Sequence, residues 1–203
     1  MHPSTPQKVF IHGPAGKLET VVNDPGEQHR GIALIAHPHP LFGGTLDNKV
    51  VHTLAKAFVE LGYVALRPNL RGAGESHGSF DEGEGETQDM LAVAQHALEH
   101  IGNLPLVLAG FSFGAYVQSR VIKQLPAEKL LMVAPAVTRF DVGHVPASAL
   151  VIHGDQDEVV PLAAVLAWAQ PQKLQVIVLP GASHFFHGHL PELKQIVLNA
   201  FRS

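Results

Sequence analysis

The sequence predicts an α/β fold in three layers, with a mostly parallel central sheet, helices on both of its faces and an antiparallel hairpin at the amino-terminal end. Three observations predict it. Short apolar runs alternate with amphipathic runs along the chain, the pattern of strands joined by crossover helices. Several of the short runs are apolar at every position, as strands buried on both faces must be. The chain has 203 residues, 46% of them hydrophobic, enough to bury a substantial core. No repeat, low-complexity run or long linker divides it, so residues 1–203 read as a single domain.

The elements follow in order. "KVFIHG" and "GKLETVVND" read as the opening hairpin. "GIALIAHPHP" is a buried strand running into a loop, and "DNKVVHTLAKAFVELG" is a helix that puts Val50, Val51, Leu54, Phe58 and Leu61 on one face. Gly62 is positioned to stop it. The alternation continues through the strand "YVALRPN", the helix "ETQDMLAVAQHALEHIG", the strand "PLVLAG", the helix "GAYVQSRVIKQL" and the strand "KLLMVAPAV". It closes with the strand "ALVIHGD", the helix "PLAAVLAWAQ", the strand "LQVIVLPG" and the helix "PELKQIVLNAF". In such sheets ligands bind outside the carboxyl ends of the strands, so the loops that follow strands are where chemistry belongs.

Composition narrows that chemistry. A net charge of −4 and a pI near 6.4 give no basic patch for nucleic acid and no polybasic membrane anchor. The longest uncharged stretch, Ile101 to Ser119, is broken by Asn103, Pro105 and three glycines and reads as strand, turn and helix, not as a membrane span. "MHPSTPQKVF" lacks the apolar core of a secretion signal, which points to the cytoplasm. The absence of cysteine removes disulfides, thiolate metal sites and a cysteine nucleophile together, leaving Ser, Thr, Lys, His or a carboxylate for covalent catalysis.

Two segments fit G-x-S-x-G, "GESHG" around Ser76 and "GFSFG" around Ser112. Ser112 directly follows an apolar strand and directly precedes a helix, the setting in which a tight elbow holds a hydroxyl out of the sheet. Ser76 sits among glycines and acids in "RGAGESHGSFDEGEGE", a loop whose composition predicts no rigid hold on a hydroxyl. Ser112 is therefore the expected nucleophile. A serine needs an imidazole to take its proton and a carboxylate to orient that imidazole. "VIHGDQDEVVP" brings Asp155, Asp157 and Glu158 to the end of a later strand, and "VIVLPGASHFFHGH" brings His184, His187 and His189 to the end of the last one, with His184 nearest the strand.

With "GFSFGA", "HGDQDEVVP" and "GASHFF" in hand, the chain resembles the α/β-hydrolase superfamily from end to end. The resemblance implies a Ser112, Asp157, His184 triad, the acid position of the HG-x-x-D-x-x-V pattern favouring Asp157 over Asp155; Asp155 also reads as a turn former that bonds its own backbone, and His184, immediately after the last strand, is favoured over His187. It also implies an oxyanion hole built from the Phe113 N–H and a donor in "AHPHPLFGG". Pro38 and Pro40 carry no N–H, so His39 and Leu41 are the near candidates, and "LFGG" resembles the oxyanion loop of the dienelactone-hydrolase branch, which favours Leu41. That branch typically carries a cysteine nucleophile, so Ser112 departs from it and its substrate is not carried over.

"RGAGES" reads as structural, with Arg71 bonding nearby carbonyls, and "FDEGEGE" as a solvated face leading into a helix, not a metal site. Zinc held by His37, His39 and the late histidines is a competing reading, but no H-E-x-x-H spacing supports it, and no cofactor is signalled. No cap insertion is visible. The expected activity is acyl transfer on small carboxylic esters or thioesters in an open cleft, with Phe42, Phe113, Phe185 and Phe186 either lining an acyl pocket or packing in the core. A small peptidase or amidase would use the same triad, and a binding protein on this fold is the non-enzymatic alternative. Branches with an aspartate nucleophile are disfavoured by Ser112 itself.

Overall fold

A computed structural model describes residues 5–26 and 28–202; the first four residues of the segment read for a secretion signal lie outside that range. Eight strands form one sheet in the order β1-β2-β4-β3-β5-β6-β7-β8. The hairpin β1 (Gln7–Gly13) and β2 (Gly16–Asn23) is antiparallel, and β2 joins β4 (Tyr63–Pro68) antiparallel. From β4 onward every pairing is parallel, through β3 (Gly31–Ala36), β5 (Leu106–Phe111), β6 (Lys129–Val133), β7 (Leu150–Gly154) and β8 (Gln175–Leu179).

Strand alternation splits the core into two layers. Along β3, Ile32, Leu34 and Ala36 face one cluster with Met90, Val93, Val117 and Val165, whereas Ala33 and Ile35 face the other with Val51, Leu54, Phe58 and Val197. Helices α2 (Glu84–His100), α3 (Phe113–Val121) and α4 (Leu162–Ala169) cover the first face, and α1 (Lys49–Glu60) and α5 (Leu190–Phe201) the second. Each fully buried Leu, Ile or Phe contributes about 1.5–3 kcal/mol of transfer free energy, so the doubly covered central strands hold most of the stability.

Local signals explain most element ends. The Asn48 side chain caps α1 by accepting from the N–H groups of Val50 and Val51, and Gly62 follows the helix with a φ of 87° that a side chain would strain. Helix α3 is shorter than its apolar pattern suggests. Its last turns tighten, with Gln124 N–H bonded to the Val121 carbonyl, and Pro126 bars continuation. Strand β6 likewise stops at Val133, because Ala134 has a φ of 45° and Pro135 follows. The connection from there to β7 contains turns and no helix, so no cap rises over the carboxyl ends of the strands. Among the described residues no helix is long and apolar enough to cross a membrane.

The loop after β4 is more ordered than its glycine and acid content suggests. The Ser76 hydroxyl donates to the Asn69 carbonyl at 2.6 Å and accepts the Glu19 N–H at 2.9 Å. Arg71 bonds a carboxylate, not carbonyls: its Nε and Nη2 grip the buried Asp89 at 3.0 and 2.8 Å. The acidic run is only partly a solvated face. Asp81, Glu82 and Glu84 are exposed, but Glu86 is buried and accepts from the N–H groups of Asp81 and Gly83, capping α2.

Candidate active site

Ser112 is the single residue between β5 and α3. Its backbone is held at φ 56° and ψ −113°, a conformation that costs a non-glycine residue on the order of 1–3 kcal/mol and persists only where the surroundings impose it. They do so here through close packing. A Cβ on Gly110 would collide with the backbone of Gly114 and Ala115, and one on Gly114 with the carbonyl of Ala36 at the end of β3. The Ser112 N–H is tied to the Val133 carbonyl at 2.9 Å. The side chain stands at the amino terminus of α3, whose first N–H groups have no partner within the helix and carry its positive dipole end.

The loop after β8 brings His184 across to it. The imidazole Nε2 lies 3.1 Å from the Ser112 Oγ, and its Nδ1 lies 2.7 Å from Asp157 Oδ2 on the loop after β7. A carboxylate only accepts, so Nδ1 carries the proton and Nε2 is free to accept from the hydroxyl. The ring leans on Phe111 and Phe185, with centroids 5.1 Å away in each case. The fully buried Ala182 and Phe186 anchor the loop on either side.

Asp157 is held just as firmly. Its Oδ1 accepts the N–H groups of Val159 and Val160 at 2.8 and 2.7 Å. Burial alone would push the carboxyl pKa up, but the bonds from His184, Val160 and Val159 outweigh it and leave the group below the ordinary aspartate range. It is an anion in a dry setting. His153, wholly buried at the end of β7, bonds the Val160 carbonyl at 2.8 Å through Nε2 and lies 3.5 Å from Asp157. Burial pushes its pKa down, so it stands beside the carboxylate as a neutral ring.

The other candidates are placed elsewhere. Asp155 accepts the Gly181 N–H at 2.6 Å, a bond that ties the β7 and β8 loops together and is not confined to its own turn. Glu158 accepts the His184 backbone N–H at 3.2 Å. His187 is exposed against Phe185, and His189 precedes α5. Ser76 is committed to the β4 loop. His37 is fully buried, with Nδ1 2.6 Å from the Pro38 carbonyl and Nε2 accepting the Leu70 N–H at 3.0 Å. Both of its ring nitrogens are occupied, and among the described residues no group of three His, Asp or Glu side chains is gathered to hold a metal ion.

Phe113 opens α3, where its N–H has no carbonyl one turn back within the helix. Leu41 lies in a short 3-10 turn, Pro40–Phe42, and its N–H meets His39 Nδ1 at a long 3.3 Å. The four candidate pocket phenylalanines divide. Phe186 is core, Phe113 is buried beneath a ring cluster, and Phe42 and Phe185 are exposed.

The model of the serine aminopeptidase S33 family (Hydrolase_4) matches residues 30–141, over half of the chain and the part that includes the Ser112 elbow. The chain belongs to that family, within the α/β-hydrolase superfamily. An α/β serine hydrolase without lid from Xanthomonas campestris is 38% identical, with a TM-score of 0.92 over 100% of this chain and 96% of that one. An α/β serine hydrolase homologue from Coxiella burnetii is 40% identical, with a TM-score of 0.90 over 98% of this chain and 99% of that one. An uncharacterized protein of Rickettsia prowazekii is 31% identical over 94% of this chain and 86% of its own length. By family and fold the protein is an α/β serine hydrolase.

Proposed function

We propose that the protein hydrolyses small carboxylic esters or thioesters through an acyl-enzyme on Ser112. The observation that carries this reading is the unbroken row from Ser112 Oγ to His184 Nε2 at 3.1 Å and from His184 Nδ1 to Asp157 Oδ2 at 2.7 Å. As Oγ bonds to the acyl carbon, its proton passes to His184 Nε2 and the carbonyl π pair moves onto oxygen. The Phe113 N–H receives that oxyanion, each such donor being worth about 3 kcal/mol of barrier. Leu41 supplies the second donor by turning its N–H from His39 to the substrate. The carbon–oxygen or carbon–sulfur bond of the leaving group then breaks, and the imidazolium returns the proton to the departing atom. Water repeats the two steps and frees Ser112. Asp157 holds the imidazole in the Nδ1–H tautomer and stabilises the imidazolium.

No step draws on a cofactor, and the partner is a small acyl compound. The absence of a cap over Ser112 supports accessible substrates. The test is hydrolysis of p-nitrophenyl acetate and butyrate by the wild type and by Ser112→Ala. Turnover by the first and its loss in the second is the expected result, and equal turnover by both would sink the assignment.

A small amidase or peptidase is the second reading, favoured by the family description and by two exposed carboxylates, Glu82 and Asp141, beside the site where a substrate amine would be welcome. Comparing butyryl p-nitroanilide with the matching p-nitrophenyl ester separates the two. Faster cleavage of the anilide would favour the amidase.

A further inference from the structure

The loops that follow β3, β4 and β6, together with the first turn of α3, border an open cleft of about 530 Å3. Its walls are mostly rings: His39, Phe42, Phe80, Tyr116 and Phe140. His39 sits at their centre, with centroids 4.5 Å from Phe80, 4.7 Å from Phe42 and 6.0 Å from Phe140. Phe113 lies buried beneath them, 5.1 Å from both His39 and Phe140. Neither Ser112 nor Phe113 lines the cleft, but Phe113, which directly follows Ser112, packs against its rings His39, Phe80, Tyr116 and Phe140 and so joins the cleft to the residue after the proposed nucleophile. No residue from the β7 or β8 loops lines it.

We propose that this cleft is the subsite for the acyl portion of the substrate, and that it takes an aromatic ring without a negative charge. The proposal rests on the acyl-transfer reading above. The side of the site follows from the proton. His184 must deliver it to the leaving group, so the leaving group lies toward the β7 and β8 loops that carry Asp157 and His184. The acyl portion then extends the other way, over Phe113 and into the cleft.

The ring follows from the walls. Aromatic faces and edges at tilted angles reward a further ring through offset and edge-to-face contact beyond the gain from apolar area alone. Phe42 is 69% exposed and has an open side to offer, and large apolar groups exposed beside a site are surfaces waiting to be covered.

The exclusion of negative charge follows from the rim. The Arg139 guanidinium is stacked 4.9 Å over the Phe42 ring, while the exposed carboxylates of Glu82 and Asp141 also line the cleft. Two anions against one engaged cation repel an anionic ring. Burial, together with the Arg139 charge, pushes the His39 pKa down and keeps that ring neutral.

The test compares kcat/KM for methyl 3-phenylpropanoate and methyl 3-cyclohexylpropanoate, matched in length and ring size, with benzyl acetate and cyclohexylmethyl acetate as the corresponding pair on the leaving-group side. The expected result is a preference of roughly five-fold or more for phenyl over cyclohexyl in the acyl pair and little preference in the alcohol pair. A para-carboxylate on the acyl ring should abolish the advantage. Phe42→Ala and Phe140→Ala should each pull the acyl ratio toward unity. The ratio is the readout, so a general loss of activity in either variant does not mimic the effect, and Phe42 is too exposed for its loss to unfold the chain.

Equal rates for the two acyl esters in the wild type, a preference confined to the alcohol pair, or a ratio untouched by both substitutions would overturn the subsite and leave the hydrolase reading standing. If no ester is turned over and a fluorophosphonate leaves Ser112 unlabelled, the hydrolase reading fails and the subsite falls with it.

Discussion

His184 and Asp157 are joined by a 2.7 Å contact between Nδ1 and Oδ2, and the opposite carboxylate oxygen is fixed by two backbone N–H groups from the same loop. Asp157 therefore has little freedom to rotate, and the tautomer of His184 is set by it. Asp157→Asn presents a donor or a weaker acceptor at that position and favours the wrong tautomer. A fall in kcat of about ten-thousand-fold is expected, measured by ester hydrolysis at constant pH with circular dichroism to confirm folding. A loss below ten-fold would remove Asp157 from this role.

The same residue gives a stability signature. Its pKa is lowered by folding, so its anion contributes stability that is present above the unfolded aspartate pKa and is lost as pH falls through the folded value. The wild-type Tm should drop through this acid window, and the Asp157→Asn profile should be shallower there. Parallel profiles would show that the carboxylate is not held as its contacts indicate.

His37 titrates in a different window. Burial pushes its pKa down to about 4, against the donation to Pro38 that pulls the other way, so between 6.5 and about 4 the unfolded chain binds more protons than the folded one. Stability then rises with pH across this window, is fully present above 6.5 and is lost as pH falls toward 4. His37→Gln should flatten that slope, while His153, also pushed down by burial, keeps its own share. At pH 8 a His37→Leu variant, which offers no acceptor to the Leu70 N–H, should lose about 1–3 kcal/mol, read by urea unfolding.

Ser76 is the control for Ser112. Removing its hydroxyl leaves the Glu19 N–H without an acceptor and the Asn69 carbonyl without a donor, so Ser76→Ala should cost about 1–3 kcal/mol of stability while the active protein keeps its ester turnover. Lost turnover in a folded Ser76→Ala protein would contradict the division of labour between the two serines.

The second oxyanion donor is testable at a single atom. Replacing the Leu41 residue by its α-hydroxy acid turns the amide into an ester, deletes the N–H and leaves the side chain in place. A fall in kcat of about a hundred-fold or more is expected. An unchanged kcat would shift the role toward the His39 N–H.

The layers and the order of elements were legible because periodicity and turn residues carry them. The elbow position of Ser112 between strand and helix was legible because an apolar strand, a glycine pair and a helical run surround it. What the sequence concealed was tertiary. No local pattern says that Ser76 would be gripped by the Glu19 N–H, 57 residues away, as well as by the Asn69 carbonyl, or that Arg71 would find Asp89. Glu86 looked like its exposed neighbours because burial of a helix-capping carboxylate depends on what packs over it. The ring cluster around His39 draws on the β3, β4, β5 and β6 loops, and one-dimensional spacing does not show that they converge. Asp155 and Glu158 were visible as carboxylates, but only the fold assigns one to Gly181 and the other to the His184 backbone.

The central claim is that Ser112 carries the acyl group. The most direct test is peptide-mapped mass spectrometry of the protein after reaction with a fluorophosphonate, alongside turnover of p-nitrophenyl butyrate by the same sample. One adduct per chain on Ser112, with loss of turnover in proportion to labelling, is the predicted result. An adduct on another residue, or full turnover by fully labelled protein, would contradict it.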